Sequence, residues 1–182
     1  MVRMILFSLI FFISPGSYAQ EVSSKRINLG IEQDLLPYIT GGYFAGVWAG
    51  KDHLRFRAIT ASVHKPDFII ETGFTNNKVT AYALLADYFL KENWKGWWAG
   101  TGLVDWQSSI QTNKKESTSN YKTWLLNGSI GYSFKLCKNF YISPWCALHV
   151  RVGGDKHITV DDKIFDPPLL NPEASVKLGA YF

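Results

Sequence analysis

The sequence predicts an all-β fold, a single antiparallel up-and-down transmembrane β-barrel of about eight strands, behind a cleaved export signal. Three observations predict it. Apolar and polar residues alternate over long stretches, and short and long connections alternate between those stretches. No segment after the leader approaches the ~18 consecutive apolar residues of a membrane helix. Alternation with period two puts successive side chains on opposite faces of a strand, so one face can meet an apolar solvent while the other stays polar.

Residues 1–19 read as a signal peptide. Arg3 gives a positive start, Ile5 to Ile13 is a compact apolar run, and Pro15-Gly16 breaks it. Ser17-Tyr18-Ala19 then offers small residues to a signal peptidase, leaving Gln20 as the mature N-terminus. The apolar run is too short to span a bilayer as a helix, which takes about 20 residues. No Cys follows the cleavage site to carry a lipid. Residues 20–182 form one barrel domain, expected in the bacterial outer membrane.

Turn signals cut that domain into strands at 25–35, 42–50, 53–64, 78–90, 95–108, 121–135, 139–152 and 173–182. The connections at Lys51-Asp52, 91–94 and 136–138 are short; those at 65–77, 109–120 and 153–172 are long and polar, with a middling one near 36–41. An even strand number with short turns at one end and long loops at the other is the layout of an outer-membrane barrel, and it puts both chain ends on the short-turn side.

The outward face is expected to carry Ile27, Leu29 and Ile31; Leu54, Phe56 and Ala58; Tyr82, Leu84 and Ala86; Trp124, Leu126, Ile130, Tyr132 and Phe134; Ile142, Leu148 and Val150; and Val176, Leu178 and Phe182. The opposite face supplies a lumen charge network of Glu32, Arg55, Arg57, Asp87, Asp105, His149, Arg151, Glu173 and Lys177, because unpaired charge in hydrocarbon costs several kcal/mol. Trp97, Leu103, Val79 and Leu85 fall on the nominal inner face, so the register of strands 42–50, 78–90 and 95–108 stays open. Aromatics flank the short turns, and Tyr88, Trp94, Trp97, Trp98, Phe134, Phe140, Tyr141 and Phe182 are expected at the membrane interface. A weaker upper girdle takes Tyr43, Phe44, Trp106 and Tyr121.

The chain ends on Phe182, with Ala180, Leu178, Val176 and Ala174 at every second position before it. This ending resembles the assembly signal of outer-membrane β-barrel proteins, carried here by Phe182, Ala180 and Leu178. With the leader and the strand count, the resemblance is to the small eight-stranded class of the OmpX, OmpW and OmpA-barrel type, and the loop-rich aromatic style is similar to barrels of the Bacteroidetes type. It implies partnership with outer-membrane lipid and with the barrel assembly machinery that reads the terminal strand.

Other classes fit less well. A lipocalin shares the strand count, and Gly46-Val47-Trp48 and Ala86-Asp87-Tyr88 resemble its motifs, but it places apolar residues inside and charge outside. A lipid-modifying enzyme needs a base within hydrogen-bond reach of a hydroxyl. His149 and Ser143 lie six residues apart along one strand, about 20 Å. Asp155, His157, Asp161, Asp162 and Asp166 fit no calcium motif, and 153–172 reads as a solvated acidic loop with no metal or cofactor. Cys137 and Cys146 are expected as two unpaired thiols, one at a turn and one up the next strand. Without Arg3 the chain keeps 18 basic against 15 acidic residues, about +3 and evenly spread, which argues against nucleic acid. A structural role, or contact with an unknown surface ligand through the loops, is the function this pattern favours.

Overall fold

The computed structural model describes residues 27–182, so the leader expected at 1–19 and the first residues of the first expected strand lie outside the described residues. The chain runs up and down through β1 (Asn28–Asp34), β2 (Tyr43–Lys51), β3 (Leu54–His64), β4 (Phe74–Phe89), β5 (Gly96–Thr112), β6 (Thr118–Lys135) and β7 (Phe140–Gly154). A small hairpin of β8 (Ile158–Val160) and β9 (Lys163–Phe165) precedes the last barrel strand, β10 (Leu170–Tyr181). β1 closes on β10, with Ile31 opposite Ala180 and Asp34 opposite Lys177. The ring β1-β10-β7-β6-β5-β4-β3-β2 is an eight-stranded antiparallel barrel, and closure leaves none of these strands an unpaired edge.

The strands start and stop close to the expected cuts at the short-turn end. At the long-loop end they run further: β4 begins at Phe74, β5 continues to Thr112 and β6 begins at Thr118. The flanks rich in Ser, Thr, Asn and Gln read as loop in the sequence, yet Ile110 pairs Ser119 and Gln111 pairs Thr118. Between β1 and β2 sits one short helix, α1 (Leu35–Ile39), capped by Asp34, whose carboxylate accepts from the Leu36 amide at 3.1 Å.

The segment 153–172, expected as a solvated acidic loop, instead carries the β8–β9 hairpin. Its Val160 and Phe165 pack with Phe74, Ile110 and Tyr121 into an apolar cluster. Three residues per strand are too few for alternation to be read. The hairpin tip is pinned by Asp161, which accepts from the Thr112 and Ser117 hydroxyls, and by Lys114 against Asp162 at 3.1 Å. Those hydroxyls, Ser117 first, hold the Asp161 carboxyl below its ordinary range, and the bond from Lys114 does the same for Asp162.

Strand pairing sets which face each residue takes. Leu84, Leu103 and Leu126 stand in one outward row, and Val104 and Leu125 on the neighbouring positions point inward. Trp97 and Leu103 are therefore outward, while Val79 and Leu85 are inward, which resolves the phase of β4 and β5. Both cysteines are free and exposed, Cys137 at the turn and Cys146 on the outer face of β7.

Candidate functional site

The lumen is where the charged residues meet. Arg55 and Arg57, two apart on β3, share its inner face, and the pairing of β3 with β4 sets Asp87 opposite Arg55. Asp87 accepts from Arg55 Nε and from an Arg57 terminal nitrogen, both at 2.8 Å. Glu32 reaches the same guanidinium groups from β1, at 3.0 Å from Arg57 and 3.4 Å from Arg55. It can do so because Gly46 stands between them on β2: a side chain there would meet the Glu32 Cγ at 3.1 Å. Tyr141 donates to Glu32 at 2.8 Å and accepts from Trp48 Nε1 at 3.0 Å. All four charged side chains of this group are essentially fully buried.

Asp34 and Lys177 extend the cluster. Asp34 accepts from Trp145 Nε1 at 2.7 Å and from the Ser175 hydroxyl, and the Lys177 ammonium lies 3.9 Å from the Trp145 ring centre. Arg55 also stacks over Phe89 at 4.9 Å, and Arg57 over Trp98 at 5.2 Å. Charge, hydrogen bonds and aromatic faces thus engage one another in a buried interior, where an unpaired ion would be very costly.

Below this cluster the short-turn end is stoppered by Phe89, Trp94 and Trp98, with Trp145 against them. Trp94 sits in the turn at φ +58°, a region that disfavours a non-glycine residue, and is held there by its indole packing on Phe89 and Trp48. Gly131 leaves the space that the Trp98 indole fills. Towards the long-loop end Leu85, Val104 and Leu125 form an apolar layer, backed by Ile59, Ala81, Ala83 and Trp106. Side chains from successive levels fill the lumen, as eight strands lead one to expect.

Several expected roles need correction. Asp105 is not in the lumen: it is outward on β5, paired with Lys122 at 3.1 Å, because its even-numbered neighbours Val104 and Trp106 take the inner face. Arg151 points inward but sits near the mouth, donating to the Asp155 carbonyl at 3.4 Å and taking no part in the charged cluster. His149 and Glu173 pair with each other at 3.0 Å, apart from the arginines. Among the expected interface aromatics, Tyr88, Trp97, Phe134, Phe140 and Phe182 are exposed on the outside. Trp94, Trp98 and Tyr141 are buried inside, the last two because alternation opposes them to Trp97 and Phe140. In the upper girdle Tyr43 is outward, whereas Phe44 and Tyr121 are buried and Trp106 packs on the inner apolar layer. The sequence reading missed Asp34, Trp48, Trp145 and Ser175; the i, i+2 relation of Asp34 to Glu32 was the available signal.

Chemically, these groups are occupied by one another. The His149 ring nitrogens face Glu173 and Asn127, while Ser143 accepts from Trp98 and Ser129 donates to the Gly100 carbonyl. Neither serine is a partner of His149. Among the described residues, no group of three or more His, Cys, Asp or Glu side chains is placed to hold a metal ion. In the loop that follows β3, at the barrel mouth, Lys65 folds inward over the Trp106 ring at 4.5 Å, and burial pushes its pKa down to about 8.

No family model matches the chain, and no curated protein does. Among solved structures, the crystal structure of the N-terminal β-barrel domain of Pseudomonas aeruginosa OprF is similar, with a TM-score of 0.53 over 88% of this chain and 100% of that domain, at 11% identity. That likeness is one of fold, and the fold is the one expected from the strand count: eight antiparallel strands closed in a ring.

Proposed function

We propose that the chain is an integral outer-membrane barrel, exported through its leader, which serves a structural or surface-contact role through the loops at its long-loop end while its lumen stays closed. The observation that carries this reading is the distribution of charge. The outward positions from Leu54 to Thr60 on β3, Tyr82 to Tyr88 on β4, Trp97 to Leu103 on β5 and Trp124 to Phe134 on β6 are uncharged, and those from Phe140 to Val150 on β7 and Leu170 to Phe182 on β10 are too. Leu84 is 70% exposed, Phe56 61% and Leu103 54%, values that water would not tolerate together in one belt. On β6 the uncharged stretch from Trp124 to Phe134 is ~33 Å along the strand. At a tilt of ~40° that is about 25 Å of height, the thickness of an outer-membrane barrel's apolar band.

A lipocalin-like ligand pocket has the opposite polarity, and here the inner face is ionic and filled. A hydrolase would need a nucleophile beside His149, whose two ring nitrogens are engaged elsewhere. Partnership with the assembly machinery through Phe182, Ala180 and Leu178 follows from the same reading, since Leu178 and Ala180 lie on the outer face of β10 and Phe182 is exposed beside them. The test is fractionation of an expressing bacterium, followed by unheated and boiled gels of the extract. Detergent-dependent extraction from the outer membrane with a mobility shift on boiling is the expected result; recovery as soluble protein overturns the reading.

A further inference from the structure

Three strands present a graded series of outward rows where the apolar belt ends. Leu84, Leu103 and Leu126 form one row, followed by Tyr82, Asp105 and Trp124. Thr80, Gln107 and Lys122 stand above them, and then Lys78, Ser109 and Asn120. Two residues along a strand rise by ~6.6 Å, so the wall passes from pure hydrocarbon to pure polar surface over about 20 Å of strand. The upper two rows line a groove of about 540 Å³, bounded by Lys78, Thr80, Gln107, Ser109, Asn120 and Lys122.

The groove holds Lys78, Lys122 and the carboxylate of Asp155, with Asp105 one row lower, so its charges are equal in number but unequal in pairing. Lys122 is held by Asp105, 3.1 Å away and one row lower, and lies over the Trp124 ring at 4.7 Å. Asp155, at the top, is engaged by the Lys122 backbone amide at 2.8 Å. Lys78 has no ion pair among the described residues. The two lysines stand two strands and one row apart, ~12 Å between backbones, a span that two flexible lysine side chains close around one small anion. Hydroxyl and amide donors fill the floor between them.

We infer that this groove binds the phosphate of a lipid headgroup from the outer leaflet, with Lys78 as the principal cation, Lys122 as the second, and the acyl chains lying down the Leu84, Leu103 and Leu126 wall. The inference rests on the membrane reading above, and it follows from continuity: below the lysine rows the wall passes through Tyr82, Trp124 and an Asp105 already paired with Lys122 to leucines that only hydrocarbon fits. A free phosphate would use the cations but not the wall.

The test is native mass spectrometry of the mature protein, folded in detergent and checked by its heat-dependent gel shift, with phosphatidic acid, phosphatidylcholine or inorganic phosphate added. Wild type is expected to retain phosphatidic acid preferentially, and Lys78→Gln to lower that retention about fivefold, the effect of one lysine near a charged lipid surface. Lys51→Gln, at the opposite rim, should leave it unchanged. Equal loss in both variants, no preference for phosphatidic acid over phosphatidylcholine, or displacement by inorganic phosphate each overturns the site. If the protein shows no heat-dependent shift and needs no detergent, the membrane reading itself fails, a result distinct from loss of lipid preference.

Discussion

Replacing Asp87 by Asn removes one carboxylate from a buried set in which Arg55, Arg57 and Lys177 stand against Glu32, Asp34 and Asp87. The amide keeps the shape but not the charge, so two guanidinium groups lose an ionic acceptor at 2.7–2.8 Å and only Glu32 remains to them. Breaking a buried pair from one side costs ~3–5 kcal/mol, because the remaining charges cannot recover hydration. With a urea slope of ~2 kcal/mol per molar, the unfolding midpoint should fall by about 1.5–2.5 M. The assay is a urea series in lipid vesicles, read as folded and unfolded bands on unheated gels and as tryptophan fluorescence. Adding Arg57→Met to Asp87→Asn should recover more than half of the loss, since the second change removes a cation left without its partner. A midpoint for Asp87→Asn within ~0.3 M of wild type, or strict additivity in the double variant, would refute the view that these charges stabilise one another.

Other predictions address the wall, the membrane and the cap. Ala at position 131 would put its Cβ 2.5 Å from the Trp98 ring and 2.8 Å from the Pro144 carbonyl, so Gly131→Ala should lose ~1–3 kcal/mol in the same urea series. Gly128 faces outward with nothing within 4 Å, and Gly128→Ala should be neutral or stabilising by up to ~1 kcal/mol. Ile130→Lys, near the middle of the apolar belt, should cost ~2–4 kcal/mol in vesicles, and no measurable cost there would contradict a lipid-facing position. Because the Asp161 carboxyl titrates below its ordinary value of 3.8, its hydroxyl bonds stabilise the hairpin at higher pH and are lost as pH falls through the folded value. Amide NMR shifts of Val160 and Phe165 should move over that acid range, and Asp161→Asn should abolish the movement.

How much could be read beforehand depended on the chemistry of each strand. On β3 and β6 the phase was legible because Arg55 and Arg57, or Asn127 and Ser129, alternate with residues that only hydrocarbon suits. On β5 the doublets Trp97-Trp98 and Leu103-Val104 leave the phase undecided, and Asp105 pulled it the wrong way. The glycines carried the missing information: Gly96, Gly100 and Gly102 share the phase of Trp98, and a side chain at 100 would collide with Asp87 and Ser129. Aromatic residues were ambiguous for a different reason, since the same ring serves at a headgroup and in a stopper, and only cross-strand pairing separates Phe140 from Tyr141. The hairpin at 158–165 depends on packing against Phe74 and Ile110, contacts distant in sequence that no local pattern records.

The buried ions also bear on how the ring is made. Glu32 comes from the first strand, Arg55 and Arg57 from the third, Asp87 from the fourth, Tyr141 from the seventh and Lys177 from the last. Among the described residues, the seam that joins first to last strand runs from Leu29 to Asp34 on one side and from Lys177 to Phe182 on the other. A chain short of its final strand lacks Lys177 and has no seam, so the edge of the first strand beside Glu32 stays unpaired. The ion pairs among Glu32, Arg55, Arg57 and Asp87 already tie strands one, three and four together, and the final strand adds Lys177 and closes the wall around them.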